Sequence, residues 1–156
     1  MSLEIERKFL VTSMSFKSRA ESFTHITQGY LSLDPERVVR IRVRDDKAYI
    51  TIKGKSNKSG LSRFEWEQEI MAEDAYKLLE LSLGGVIDKV RYIVDYKDFI
   101  YEVDEFFGEN AGLVVAEIEL ESENQEFEKP DWLGAEVTGD KKYYNSQLMR
   151  LPYLKW

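Results

Sequence analysis

The stretch "EIERKF", Glu4 to Phe9, has the alternation of a β-strand with one unusual face. Alternate strand residues point to opposite sides of a sheet. One side therefore carries Glu4, Glu6 and Lys8, and the other carries Ile5, Arg7 and Phe9. A solvated outer face is the commoner reason for such charges on an antiparallel sheet. The pattern nevertheless recurs along the chain. "RVVRIRVR" (37–44) sets Arg40, Arg42 and Arg44 against Val39, Ile41 and Val43, and "YITIKG" (49–54) sets Thr51 and Lys53 against Ile50 and Ile52. "SRFEWEQEI" (62–70) sets Arg63, Glu65, Glu67 and Glu69 against Phe64, Trp66 and Ile70. Lys89 and Arg91, then Glu102 and Asp104, then Glu117, Glu119 and Glu121 continue it on later strands.

Candidate strands cover Leu3–Val11, Thr24–Leu33, Glu36–Arg44, Lys47–Lys55, Ser62–Met71, Val86–Asp95, Asp98–Phe107 and Leu113–Glu121. Turn residues "DPE" (34–36), "DDK" (45–47) and "YKD" (96–98) join several of them as hairpins, and "GKSNKSG" (54–60) reads as a mobile basic loop. Helical spacing predicts a helix over Ala72–Leu81, a second over Asp140–Arg150 and a short one over Ser15–Ser22. Eight antiparallel strands with two or three helices predict an α+β fold, a barrel or strongly curved sheet, in one domain spanning 1–156.

Composition narrows the function. With 43% hydrophobic and 33% charged residues the chain folds as a globular protein rather than staying disordered. The absence of cysteine excludes a disulfide framework and thiolate metal sites, and suits a reducing cytoplasm. No apolar run approaches the roughly 18 residues of a membrane span, so no membrane partner is expected. A net charge of −7 argues against nucleic acid, yet leaves a small polyanion open because local sign matters more than the total. A homodimer is one assembly open to the chain.

Two architectures produce the charged faces: charges toward water over an apolar core, or charges inside a closed sheet with apolar residues outside under helices. Periodicity fits either. The blocking by sign, three arginines on one strand and three glutamates on another, has a rationale in the second. Like charges side by side cost energy. Bases that grip a polyanion and acids that hold divalent cations would offset that cost.

"EIERKF", with its Glu-x-Glu-x-Lys spacing, resembles the signature of the CYTH superfamily, the triphosphate tunnel metalloenzymes. "ITQGYL" (26–31), "RIR" (40–42), "TIKG" (51–54), "SRFEWE" (62–67), "KVRY" (89–92), "YEVDEFFGENAGLVVAEIEL" (101–120) and "EVTGDKKYYN" (136–145) resemble that family's blocks in its order. The resemblance implies an eight-stranded antiparallel β-barrel with charged residues inside. It implies action on triphosphates with Mg²⁺ or Mn²⁺, by an inorganic tripolyphosphatase, a thiamine triphosphatase or an adenylate cyclase; short bacterial members resemble the first. A non-enzymatic polyphosphate-binding module is a further reading, disfavoured by the many carboxylates.

On that resemblance Arg40, Arg42, Lys53, Lys89 and Arg91 are expected to hold the triphosphate, arginine as a planar fork and lysine as a point charge. Glu4, Glu6, Asp104, Glu117 and Glu119 are expected metal ligands. Glu65 and Glu67 are expected to ligate metal or to orient the bases. Lys8 is expected to contact phosphate or position water, and Tyr30 to accept a proton or simply to pack. Arg44 and Arg63 are placed at a tunnel mouth, and Glu69, Glu102 and Glu121 among structural or solvated residues. His25 receives no role. Lys142 is read at the tunnel mouth or as a solvated lysine, and Trp66, Trp132 and Trp156 as packing residues.

Overall fold

The computed structural model describes residues 5–56 and 63–156; Glu4 and most of the basic loop at 54–60 lie outside the described residues. The strands are β1 (Ile5–Val11), β2 (Ala20–Ser32), β3 (Arg37–Arg44), β4 (Lys47–Ser56), β5 (Arg63–Ile70), β6 (Ile87–Tyr96), β7 (Phe99–Phe106), β8 (Val114–Leu120) and β9 (Leu133–Glu136). They form one antiparallel sheet in the order β5-β4-β3-β2-β6-β7-β8-β1-β9. Two hairpins use two-residue turns with positive φ, at Asp45 before Asp46 and at Lys97-Asp98, a backbone twist that matches the strands they join.

The mostly antiparallel architecture with few helices is the expected one, but closure differs. An eight-stranded barrel would pair β5 with the free edge of β1. The short β9 occupies that edge instead, through Phe9 with Glu136 and Val11 with Leu133, and leaves β5 as the other edge. β9 has four residues, "LGAE", and no alternation to betray it. The sheet still curls strongly: Glu6 and Lys8 on β1 and Glu117 on β8 share a cavity with Tyr30 on β2.

Parity then decides what faces where. On the convex side, α1 (Ala72–Leu79) lays Ala75 and Leu79 over Ile41, Val43 and Ala48. Gly29 on β2 lets the chain after α1 come close, since a Cβ there would lie 2.2 Å from Ser82 Oγ. A second convex layer buries Phe9, Val94, Tyr101, Val103 and Ile118 beneath Phe16 and Trp132. Phe16 belongs to a 3-10 turn, Met14–Arg19, which stands where a helix over Ser15–Ser22 was expected; β2 already begins at Ala20. Trp132 packs as expected. Trp66 does not, being 44% exposed on the edge strand beside Phe64.

On the concave side one end is filled by the C-terminal segment. The helix expected over Asp140–Arg150 is broken: a 3-10 turn, Lys141–Tyr143, gives way at extended Tyr144 to α2 (Asn145–Leu148). The break lets Tyr143, Leu148 and Met149 enter one apolar cluster with Ile87, Phe106 and Val115, which a continuous helix with these spacings would not present together. Lys142 is exposed, its ammonium 4.5 Å from the Trp156 ring centre.

The inner cluster rests on Leu148, which is fully buried. Leu148→Ala should lower unfolding stability by about 2–5 kcal/mol, measured from the urea midpoint at unchanged slope. A loss under about 1 kcal/mol would contradict an apolar core on the concave side.

Candidate active site

The charged residues line the concave face. On the basic wall, Arg42 donates Nε–H to Oε1 of buried Gln28 at 2.8 Å. Arg40 reaches Thr51 Oγ1 at 3.4 Å, and Thr51 in turn donates to Glu67 Oε1 at 3.0 Å. A relay across β3, β4 and β5 therefore steadies Arg40, while its Nε is buried without a hydrogen-bond partner among the described residues. Burial, then the nearby Arg40 and Arg91 charges, lowers the Arg42 pKa to about 10. The guanidinium stays protonated at neutral pH, but three cations crowd one region. A cavity of about 230 Å³ opens among Arg40, Thr51, Lys53, Tyr30 and Ser146.

Beside this wall lies a buried ionic trio. Arg91 grips Asp104 with Nε to Oδ1 at 2.8 Å and Nη2 to Oδ2 at 3.0 Å. Lys89 donates to the same Oδ2 at 2.9 Å and to Asn145 Oδ1 at 3.3 Å. Lys89 is 0% and Asp104 3% exposed. Burial alone would raise the Asp104 carboxyl, but Lys89 and Arg91 outweigh it and hold it well below the usual carboxylate range. For Lys89, burial is the largest influence and lowers the ammonium pKa, with Asp104 opposing. Asp104, expected among the metal ligands, thus spends both oxygens on cations, and Lys89, expected on the substrate, is enclosed.

The acidic wall is β1 and β8 with the end of β7. Glu6 lies opposite Glu119 and Lys8 opposite Glu117, with Lys8 Nζ 3.6 Å from Glu117 Oε1. Lys8 also donates to the Tyr143 carbonyl at 3.4 Å. Glu6, Glu102, Glu117, Glu119 and Glu121 border a cavity of about 550 Å³. Carboxylate oxygens are the donors that a hard divalent cation takes. Among the described residues no three acidic groups already converge as a ligand set, so phosphate and water oxygens would complete the shell, as suits magnesium.

The remaining expectations divide. Glu65 faces Lys53 across strands and Glu67 serves Thr51, which places both on the basic side of the sheet. Arg44 is exposed and stacks over Tyr49 at 5.6 Å. Glu102, read as structural or solvated, pairs with Arg91 at 2.9 Å. His25 lies on the other face of β2, 2.5 Å from Asp88, away from the charged wall. Gln28, Asn145 and Ser146 were missed. Gln28 shares parity with Tyr30, so its strand position could have flagged it; the other two come from the broken helix, where no periodicity marks them.

Removing the central anion should be costly. Asp104→Asn leaves Lys89 and Arg91 buried against a neutral amide and should cost about 3–5 kcal/mol of stability. Because the folded Asp104 pKa is depressed, its stabilisation is complete above the unfolded value near 3.9 and fades as pH falls through the lower folded one. The variant should therefore show a flatter loss of stability below about pH 4 in denaturant titrations. An unchanged acid slope would remove Asp104 from this role.

Comparisons with known proteins agree with this geometry. A model of the CYTH domain matches residues 2–147. An inorganic triphosphatase from Acetivibrio thermocellus is 50% identical over 154 residues, 98% of this chain and 97% of that one. An inorganic triphosphatase from Nitrosomonas europaea is 35% identical over 149 residues, 93% of this chain and 95% of its own. The crystal structure of an inorganic triphosphatase superposes with a TM-score of 0.77 at 32% identity, covering 96% of this chain and 95% of the other. An inward charged face joined to a match along nearly the whole length leads to one conclusion: the chain belongs to the CYTH family.

Proposed function

We propose that this protein is a divalent-metal-dependent triphosphatase that hydrolyses inorganic tripolyphosphate to pyrophosphate and phosphate. The observation that carries the reading is the gathering of Arg40, Arg42 and Arg91 on one wall, with Arg42 destabilised first by burial and then by the Arg40 and Arg91 charges, and Arg40 Nε buried without a hydrogen-bond partner among the described residues. Cations assembled at such a cost are relieved by a flexible polyanion. The relatives named inorganic triphosphatase support the same substrate class.

Tripolyphosphate lies along the basic wall, its oxygens on Arg40, Arg42 and Arg91, with Lys53 bordering the same cavity as Arg40. Lys89 stands behind, holding Asp104 and through it Arg91. Glu6, Glu117 and Glu119, with Glu4 from the sequence, are the residues that would hold Mg²⁺ or Mn²⁺. Such an ion supplies positive charge against the phosphate oxygens. Water attacks a terminal phosphorus, its oxygen forms the new bond, and the bridging P–O bond breaks with its electron pair leaving on pyrophosphate. The arginines stabilise that growing charge, which is most of what phosphoryl transfer asks of a protein. Lys8, between Glu117 and the C-terminal segment, orients the water or a phosphate oxygen. Tyr30, bordering both the basic cavity and the one holding Lys8, is placed for its hydroxyl to hydrogen-bond the attacking water, whose proton passes to a phosphate oxygen of the products. A magnesium-rich, reducing cytoplasm suits this chemistry.

A panel of tripolyphosphate, ATP and thiamine triphosphate, each with Mg²⁺ and with Mn²⁺, tests the reading. Tripolyphosphate should be the preferred substrate, activity should vanish on chelation, and Arg42→Ala should cost about 100-fold or more in kcat/KM. Cyclic AMP as the dominant product, or full activity after chelation, would overturn it.

A further inference from the structure

Glu102 sits on the border between the two walls. It lines the acidic cavity with Glu6, Glu117 and Glu119, and also a second cavity of about 210 Å³ among Arg42, Arg44 and Arg91. Its carboxylate takes the one Arg91 nitrogen that Asp104 leaves over, Nη1 to Oε2 at 2.9 Å. The two anions on Arg91 differ in kind. The Asp104 side chain is 4% exposed and fixed from both sides by Lys89 and Arg91, whereas the Glu102 side chain is 44% exposed.

We propose that Glu102 is a resident counter-anion of Arg91 that the substrate must displace, so that it sets the affinity of the basic wall for triphosphates. This rests on the triphosphatase reading above. An exposed ion pair is a weak one, so a phosphate oxygen, with several charges behind it, outcompetes a single carboxylate for Nη1. Asp104 keeps the guanidinium aimed throughout. The displaced carboxylate has a place to go, since its side chain is already half exposed and can turn to water at the mouth of the cavity it borders. Affinity is thereby held down, because each binding event must first break the Arg91–Glu102 contact. Glu102 tunes the affinity of the basic wall and touches no reacting atom.

Calorimetric titration of the full chain with tripolyphosphate in EDTA separates this from metal binding. Glu102→Gln should bind about fivefold tighter than the parent, the size expected for removing one exposed charge pair. Glu121→Gln, which removes a charge from the same acidic cavity without touching an arginine, should stay within about twofold of the parent. If Glu102→Gln folds poorly, Glu102→Asp retracts the charge from Arg91 and should show a smaller gain of about twofold. Unchanged or weaker binding in Glu102→Gln, or equal tightening in Glu121→Gln, overturns the proposal while leaving the triphosphatase reading intact. A parent chain that neither binds nor hydrolyses tripolyphosphate would instead overturn that reading, and this one with it.

Discussion

Asp104 accepts three charged hydrogen bonds in a place almost closed to water, two from Arg91 and one from Lys89. Removing either partner from such a cluster leaves an uncompensated buried charge, which is far costlier than any surface pair. The trio therefore fixes which way β6 and β7 turn their charged parity. With Lys89 and Arg91 locked inward, Val94 of β6 and Tyr101 and Val103 of β7 must face out, and they do so under Phe16 and Trp132. Neighbouring strands follow through the ladder registers, so Arg40 and Arg42 on β3 come to the same side as Arg91.

The consequence is a sheet whose apolar layers are mostly outside and whose concave face is divided by sign. Bases lie on β3, β4 and β6, with Glu65 and Glu67 of β5 among them, and acids on β1 and β8, with Lys8 among them. The C-terminal segment fills one end with Tyr143, Leu148 and Met149, and ties the filling to the charged zone through Asn145 on Lys89 and the Tyr143 carbonyl on Lys8. Structure and chemistry meet there: the same segment that completes the inner core also limits where two lysines can point. A polyanion entering this space meets arginines already aimed by Gln28, Thr51 and Asp104, and preorganised donors of that kind lose little freedom when the ligand arrives.

Much of this was legible in the sequence, and the limits were physical. Strict alternation on β3 and β8 gave the arginine and glutamate faces by residue, because a pleated strand leaves no other choice. Alternation could not say which face was inside; that depended on outer cover from Phe16, Trp132 and α1, residues far apart in the chain. β9 escaped because four residues with a glycine carry no period, and it takes the β1 edge that a closed eight-stranded barrel would pair with β5. Asp104 and Glu102 share parity and charge, yet one is entombed between two cations and the other half exposed. Lys89 donates to Asp104, a contact that strand parity does not reveal. The helix over 140–150 failed for a similar reason: burying Tyr143 together with Leu148 and Met149 required a break at Tyr144 that local propensity does not report.

The central claim is that the arginines of the concave face form a polyanion site. A crystal structure with tripolyphosphate, grown without divalent metal to prevent turnover, tests it directly. The account predicts phosphate oxygens on Arg40, Arg42 and Arg91 inside the curl of the sheet, with Asp104 still holding Arg91. Tripolyphosphate seated on the convex face, or a concave face that stays empty at saturating ligand, would contradict it.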